Sequence, residues 1–166
     1  MIICEVGLNH MGNEEYSHEY VNHLINIKCD AITYQIREEG FYQNERYNRF
    51  DLSINHYKSL INRSHESNKK FGIALADHQL ISQCEEIGVD FYKVLSWDLN
   101  SYDFIDNLLQ TNKPLYLSTG MSPIEEIDKF YEKFKDNKLA SKNIRLVRFK
   151  NRNILIYNLN HTVSTQ

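Results

Sequence analysis

The sequence predicts an α/β fold built on parallel strands. Three observations carry this expectation. Short β-rich apolar runs alternate with longer amphipathic ones, six strand candidates can be counted, and polar residues gather where those strands end. A parallel strand is covered on both faces, so it reads as a nearly continuous apolar run.

The strand candidates are residues 2–7, 31–35, 71–76, 91–95, 115–118 and 144–149. Between them lie helical segments at residues 14–26, 54–67, 79–87, 102–110 and 123–134. Their apolar residues fall three or four apart, as in Tyr20, Leu24 and Ile27 or Ile124, Ile127 and Phe130, which predicts one face against a sheet. Ser122-Pro123-Ile124-Glu125 reads as a helix start, with a serine cap, proline at the first helical position and an early glutamate. Six strands imply roughly 25 to 28 residues per βα unit, the density of a (β/α)8 barrel, which typically needs about 250 residues. The 166 residues therefore predict an incomplete TIM-barrel-type repeat of about five to six units over residues 1–147. Residues 148–166 break the pattern: 154–159 reads as a further strand with no helix before it, so a hairpin, an unfolded tail and a seventh barrel strand all stand. An open doubly wound sheet would also alternate, but neither GxGxxG nor GxxxxGK[ST] follows any strand.

The composition, 42% hydrophobic and 25% charged with a net charge of -3, is that of a soluble globular protein without a polyanion-seeking excess, so nucleic acid is not an expected partner. The first apolar run meets Glu5 at once and no stretch approaches a membrane span, so a cytoplasmic location is expected. Cys4, Cys29 and Cys84 have neither CxxC nor zinc-ligand spacing and read as reduced packing thiols.

Candidate chemistry sits at the strand ends. Glu5 interrupts an apolar strand, where an ionised carboxylate must pair, shift its pKa or serve catalysis. Asn9 and His10 follow in a glycine-punctuated turn, where His10 is expected within reach of water or a ligand. His18, His23, His56 and His65 fall in helical stretches and read as surface residues, and no pair of histidines has metal-ligand spacing. Lys93 lies inside an apolar strand followed by Ser96 and Asp98; it is either paired with an acid such as Glu5 or Asp98, or aimed at a phosphate or carboxylate ligand. Ser118-Thr119-Gly120 ends the fifth strand in hydroxyls and backbone N–H groups suited to an anion, although many helix starts look alike without a ligand. Gln35, Asp77 and His78 occupy other strand ends, and residues 37–47 form a long loop that is a lid, a partner surface or simply a solvated face.

The run Ile2-Ile3-Cys4-Glu5-Val6-Gly7-Leu8-Asn9-His10-Met11-Gly12, the Phe91-Tyr92-Lys93 strand, and Lys113-Pro114-Leu115-Tyr116-Leu117-Ser118-Thr119-Gly120-Met121 resemble, in order and spacing, the sialic acid synthase family, which includes N-acetylneuraminate and legionaminate synthases. The resemblance implies a TIM barrel that condenses phosphoenolpyruvate with an open-chain N-acyl sugar, releasing phosphate. It implies that Glu5 matches an active-site glutamate, that Lys93, Ser96 and Ser118 match phosphoenolpyruvate contacts, that Gln35 matches a sugar contact, and that Asp98 stands near the reacting centre. The family uses a divalent metal, usually manganese, whose histidine ligands come from later strands, so no metal ligand is expected here. The sequence departs at Thr33, where the family has a phosphate-binding lysine, and at Ala76-Asp77, where a Thr-Pro pair is usual. The resemblance thus implies a truncated synthase-like chain, inactive alone, or a non-catalytic binding module derived from the same barrel. Open strand edges predict poor solubility or completion by a second copy or another chain.

Overall fold

The computed structural model describes residues 1–150 and 153–158. They form two compact units, Met1–Phe91 and a second beginning at Tyr92.

In the first unit β1 (Ile3–Gly7), β2 (Ala31–Ile36) and β3 (Lys70–Leu75) lie side by side in that order, all parallel. The crossovers are α1 (Glu14–Leu24), then α2 (Glu39–Tyr42) and α3 (Ile54–His65); α4 (Ile81–Glu86) follows β3. In the second unit β4 (Phe91–Val94), of which Phe91 belongs to the first unit, β5 (Leu115–Ser118) and β6 (Ile144–Lys150) run parallel, with α5 (Tyr102–Gln110), α6 (Ile124–Phe134) and α7 (Lys138–Asn143) between them. β7 (Asn153–Asn158) returns antiparallel along β6, so the further strand of the sequence reading is a hairpin arm; residues 151, 152 and 159–166 lie outside the described residues. All six parallel strands occur where the apolar runs place them, and the fold is the α/β barrel-type repeat expected. Among the described residues β1 and β7 each have one hydrogen-bonded neighbour, as in an incomplete barrel.

The core of the first unit is organised around Tyr34. Its ring stacks on Phe71 at 5.3 Å and on His10 at 5.8 Å, meets Tyr57 edge-on at 6.4 Å, and its hydroxyl donates to Ser17 O at 2.6 Å. All of these residues are at most 1% exposed. Burying each large ring contributes roughly 1.5–3 kcal/mol, and the hydroxyl requires the partner it has. The expected α1 face is therefore displaced: Ser17 and Val21 are buried, while Tyr20 and Ile27 are 39% and 49% exposed. A small residue is needed where α1 approaches β2, and Ile27 lies beyond the helix end. Asp90 ties down the start of β3, accepting from Phe71 N and His65 Nε2, both at 2.7 Å.

In the second unit α5 buries Phe104, Ile105, Leu108 and Leu109, and α6 buries Phe130 and Phe134, whose rings are 4.8 Å apart. The α6 stripe sits one turn later than expected, leaving Ile124 54% exposed. Pro123, extended at φ −65° and ψ 163°, takes the cap position itself, and Ser122 is buried with its N–H on Thr119 O at 3.3 Å. The expected helix over 79–87 is split into a 3-10 turn, His78–Leu80, and α4.

Gly72 has no room for a side chain: a Cβ would enter the Phe91 ring. Gly72→Ala should lower stability by about 1–3 kcal/mol in urea unfolding, and Phe91→Leu should recover part of that loss. A neutral Gly72→Ala would contradict this packing.

Candidate functional site

Parallel pairing sorts the side chains of each unit onto two faces. In the first unit Ile32, Tyr34 and Ile36 face the helices, so the register Glu5↔Thr33↔Gly72 places those three residues in one row on the other face, and Gln35↔Ala74 in the next row toward the C-terminal ends. In the second unit the row Lys93↔Tyr116↔Arg145 lies on the face opposite Val94, Leu117 and Leu146, with Ser118 one step further along. Each unit thus carries a polar row leading to its strand ends. Tyr116 and Arg145 were not singled out in the sequence; the signal was one polar side chain between apolar neighbours in each of three successive strand runs.

Glu5 is exposed, whereas the sequence suggested a buried carboxylate. The physical reason is that β1 has one strand neighbour among the described residues. Its Oε1 would lie 3.6 Å from a Cβ on Gly7, which takes φ +59° to begin the turn. Asn9 folds back onto β1, giving Nδ2 and its backbone N–H to Val6 O at 2.9 and 3.1 Å. Gln35 is half-buried and its carbonyl accepts from Tyr57 Oη at 3.3 Å. Asp77 caps the turn after β3 by accepting from Gln79 N at 2.9 Å, and His78 is exposed.

His10 departs most from expectation: it is fully buried rather than accessible. The turn closes over it because Gly12, at φ +73°, packs so tightly on the backbone of Arg49 that a Cβ there would land on the carbonyl oxygen. Gly12 N donates to His10 Nδ1 at 3.0 Å, which assigns the ring proton of neutral His10 to Nε2. That Nε2–H finds no hydrogen-bond partner among the described residues, and neither does the buried Thr33 hydroxyl. Burial, with a smaller contribution from His56, brings the His10 pKa down to about 4. His56 is likewise buried rather than on the surface, 2.6 Å from Ser17 Oγ, and burial lowers its pKa too.

In the second unit Lys93, Ser96, Asp98 and Ser118 are all half-buried at the ends of β4 and β5. Ser96–Asp98 forms a 3-10 turn in which Ser101 Oγ donates to Asp98 Oδ1 at 3.4 Å. Ser118 Oγ overlies Gly120, 3.8 Å from where a Cβ would sit. Thr119 is turned inward: its N–H and Oγ1 both donate to Val147 O, at 3.0 and 3.3 Å, so it anchors the turn to β6. The structure therefore brings Lys93, Ser96, Asp98 and Ser118 to one end of the second unit's sheet, and Glu5, Asn9, His10 and Gln35 to the corresponding end of the first. Among the described residues no group of three or more His, Cys, Asp or Glu side chains is arranged to hold a metal ion. No helix among them is long and apolar enough to cross a membrane.

The long loop after β2 is partly ordered by aromatic contacts. Arg37 sits 4.2 Å over the Phe41 ring, Phe41 stacks on Tyr47 at 4.6 Å, and Glu38 holds the guanidinium with bonds of 2.9 and 2.8 Å. Residues 37–47 contain α2, and a 3-10 turn at Asn48–Phe50 follows them.

A family model described as the NeuB family matches residues 18–152. The chain is 32% identical to an uncharacterised protein of Methanocaldococcus jannaschii over 132 residues, 76% of this chain and 39% of that protein. It is 21% identical to the N,N'-diacetyllegionaminic acid synthase of Campylobacter jejuni over 167 residues, 89% of this chain and 50% of that enzyme. The crystal structure of an N-acetylneuraminic acid synthetase from Leptospira borgpetersenii, in complex with citrate, superposes with a TM-score of 0.78 at 25% identity, covering 89% of this chain and 53% of that one. The chain therefore spans about half the length, or less, of these relatives.

The His10 pKa carries a testable consequence for stability. In the unfolded chain the imidazole titrates near 6.5 and in the fold near 4, so its contribution is full above about pH 6.5 and is lost as pH falls to 4, amounting to about 3 kcal/mol. Chemical unfolding should show that decline, with His56 acting in the same direction. His10→Asn, which keeps an acceptor for Gly12 N–H but does not titrate, should flatten it. An unchanged profile would contradict the assignment.

Proposed function

The chain belongs to the NeuB family, and from that premise we propose that it carries the phosphoenolpyruvate-recognising part of a nonulosonic acid synthase, an enzyme of carbohydrate biosynthesis that joins phosphoenolpyruvate to an N-acyl sugar. The supporting observation is the register of β4 and β5, with Lys93 beside Tyr116 and Ser118 one step beyond, at neighbouring strand ends. A phosphate and a carboxylate on one small substrate need a cation and oriented hydroxyl donors. The proposal gives the cation to Lys93, the donors to Ser96 and Ser118, and proton transfer to the Asp98 carboxylate. Thr119 serves by holding that turn against Val147 O. Glu5 and Gln35 are assigned to the sugar, as a carboxylate and an amide suited to hydroxyl and N-acyl groups.

The family's divalent metal would polarise the sugar carbonyl when bound. No group of residues described here fits it, so no step is routed through it. Because the chain spans about half of its relatives, the complete condensation is proposed for a full-length enzyme, and the chain by itself is proposed to bind phosphoenolpyruvate without turnover. A second reading, a non-catalytic interaction module, draws support from the preformed Arg37–Phe41–Tyr47 stack.

Titration calorimetry with phosphoenolpyruvate separates these readings. Lys93→Ala should weaken binding by about 10- to 100-fold, corresponding to about 1.5–3 kcal/mol for a charge-assisted contact. Absence of binding to the native chain would remove the synthase reading and favour the module. With manganese and an N-acyl mannosamine added, the chain should release no more phosphate than its Glu5→Gln variant; release above that control would refute the proposed lack of turnover.

A further inference from the structure

The first turns of α1 and α3, which pack on each other, hold a cluster of polar groups that the chemistry proposed above does not use. Ser17 Oγ donates to Glu14 O at 2.6 Å, so its 2.6 Å contact with His56 Nε2 requires the imidazole to be the donor. Ser59 Oγ likewise donates to His56 O at 2.7 Å and therefore accepts from His18 Nε2 at 3.1 Å. The two rings meet edge to face at 4.9 Å. With its proton on Nε2, neutral His56 turns the Nδ1 lone pair toward Glu14 Oε1, 3.7 Å away. The charged or titratable groups facing His56 are thus Glu14 and His18 of α1 and His10 of the turn before it. Beneath them Tyr34 of β2 donates to Ser17 O, and burial keeps its hydroxyl protonated. Because His56 is buried and Glu14 is exposed, an imidazolium at His56 would exchange bulk water for one solvated carboxylate and two further imidazoles.

The cluster lies where two functional segments are tied down. His56 N donates at 3.2 Å to Ser53 Oγ, the cap that starts α3 and ends the long loop after β2. Asn13 caps α1 directly after the Asn9–Gly12 turn, and that turn meets the loop where Gly12 packs on Arg49. We propose that Ser17, His18, His56 and Ser59 form a proton-operated latch, which holds the first turns of α1 and α3 together while His56 is neutral and releases them, with the loop before α3, when His56 is protonated. Burial lowers the His56 pKa, which Glu14 partly offsets and His18 lowers further. A released ring regains its ordinary pKa of 6.5. The closed latch is therefore fully favoured above that pH and loses ground as pH falls below it. The latch operates whatever the strand ends bind.

The test is amide hydrogen exchange of the full chain at about pH 7.5 and about pH 5, read as protection factors so that the pH dependence of the chemical step drops out. Residues 14–20 and 54–60 should lose about 5- to 10-fold of their protection at the lower pH, while β3 and α5 keep theirs. His56→Gln, which retains a donor for Ser17 Oγ but does not titrate, should abolish the loss. Glu14→Gln removes the carboxylate that favours the charged ring and should enlarge it. His18→Gln, which retains a donor for Ser59 Oγ, should reduce it. Opposite effects from two neighbours on one helix face are not expected of a purely packing role. Equal protection at both pH values, a loss that spreads to β3 and α5, a loss that persists in His56→Gln and so belongs to His10, or effects of the same sign from Glu14→Gln and His18→Gln would each overturn the proposal.

Discussion

A parallel strand has to be covered on both faces and must hand its chain to a crossover before the next strand can begin, and this constraint shapes both units. It removes hairpins from the order β1-β2-β3 and β4-β5-β6, places helices between the strands, and turns all C-terminal strand ends of a unit the same way. Polar side chains are costly in the middle of such strands. They survive in one row on the face away from the helices, or at the ends, which is where Glu5, Gln35, Lys93 and Ser118 are found. The chemistry proposed for the chain follows from where the strands permit polarity.

Tyr34 shows how packing and site geometry are joined. Its hydroxyl fixes the approach of α1 through Ser17 O, while its ring supports Phe71 on one side and His10 on the other. His10 in turn receives Gly12 N–H, and Gly12 packs on Arg49 O, so the turn after β1 is held by the core beneath it and by the long loop beside it. Asn9 is presented from that braced turn, and Glu5 from the strand that leads into it. A buried, neutral imidazole suits this role because a charged one would lack solvation inside the fold.

The strands were legible because burial on both faces leaves a direct mark on composition. The strand-end clusters were legible for the same reason, since Lys93 or Ser118-Thr119-Gly120 stands out against apolar neighbours. What the sequence concealed depends on contacts between distant segments. Nothing near His10 signals that Gly12 will close onto Arg49, and nothing near His56 signals its bond to Ser17 across 39 residues of chain. The exposure of Glu5 was hidden because it depends on what pairs with β1, not on β1 itself. The buried face of α1 slipped because a small residue at the tightest contact, Ser17, outweighed larger apolar neighbours such as Tyr20.

The central claim is that the strand ends of the second unit recognise phosphoenolpyruvate. Backbone amide NMR of the 15N-labelled chain tests it most directly. On addition of phosphoenolpyruvate, the account predicts saturable shifts at Lys93, Ser96, Asp98 and residues 118–120, with β1, β2 and β3 largely unmoved. Shifts confined to the first unit, or no shifts at millimolar ligand, would contradict it.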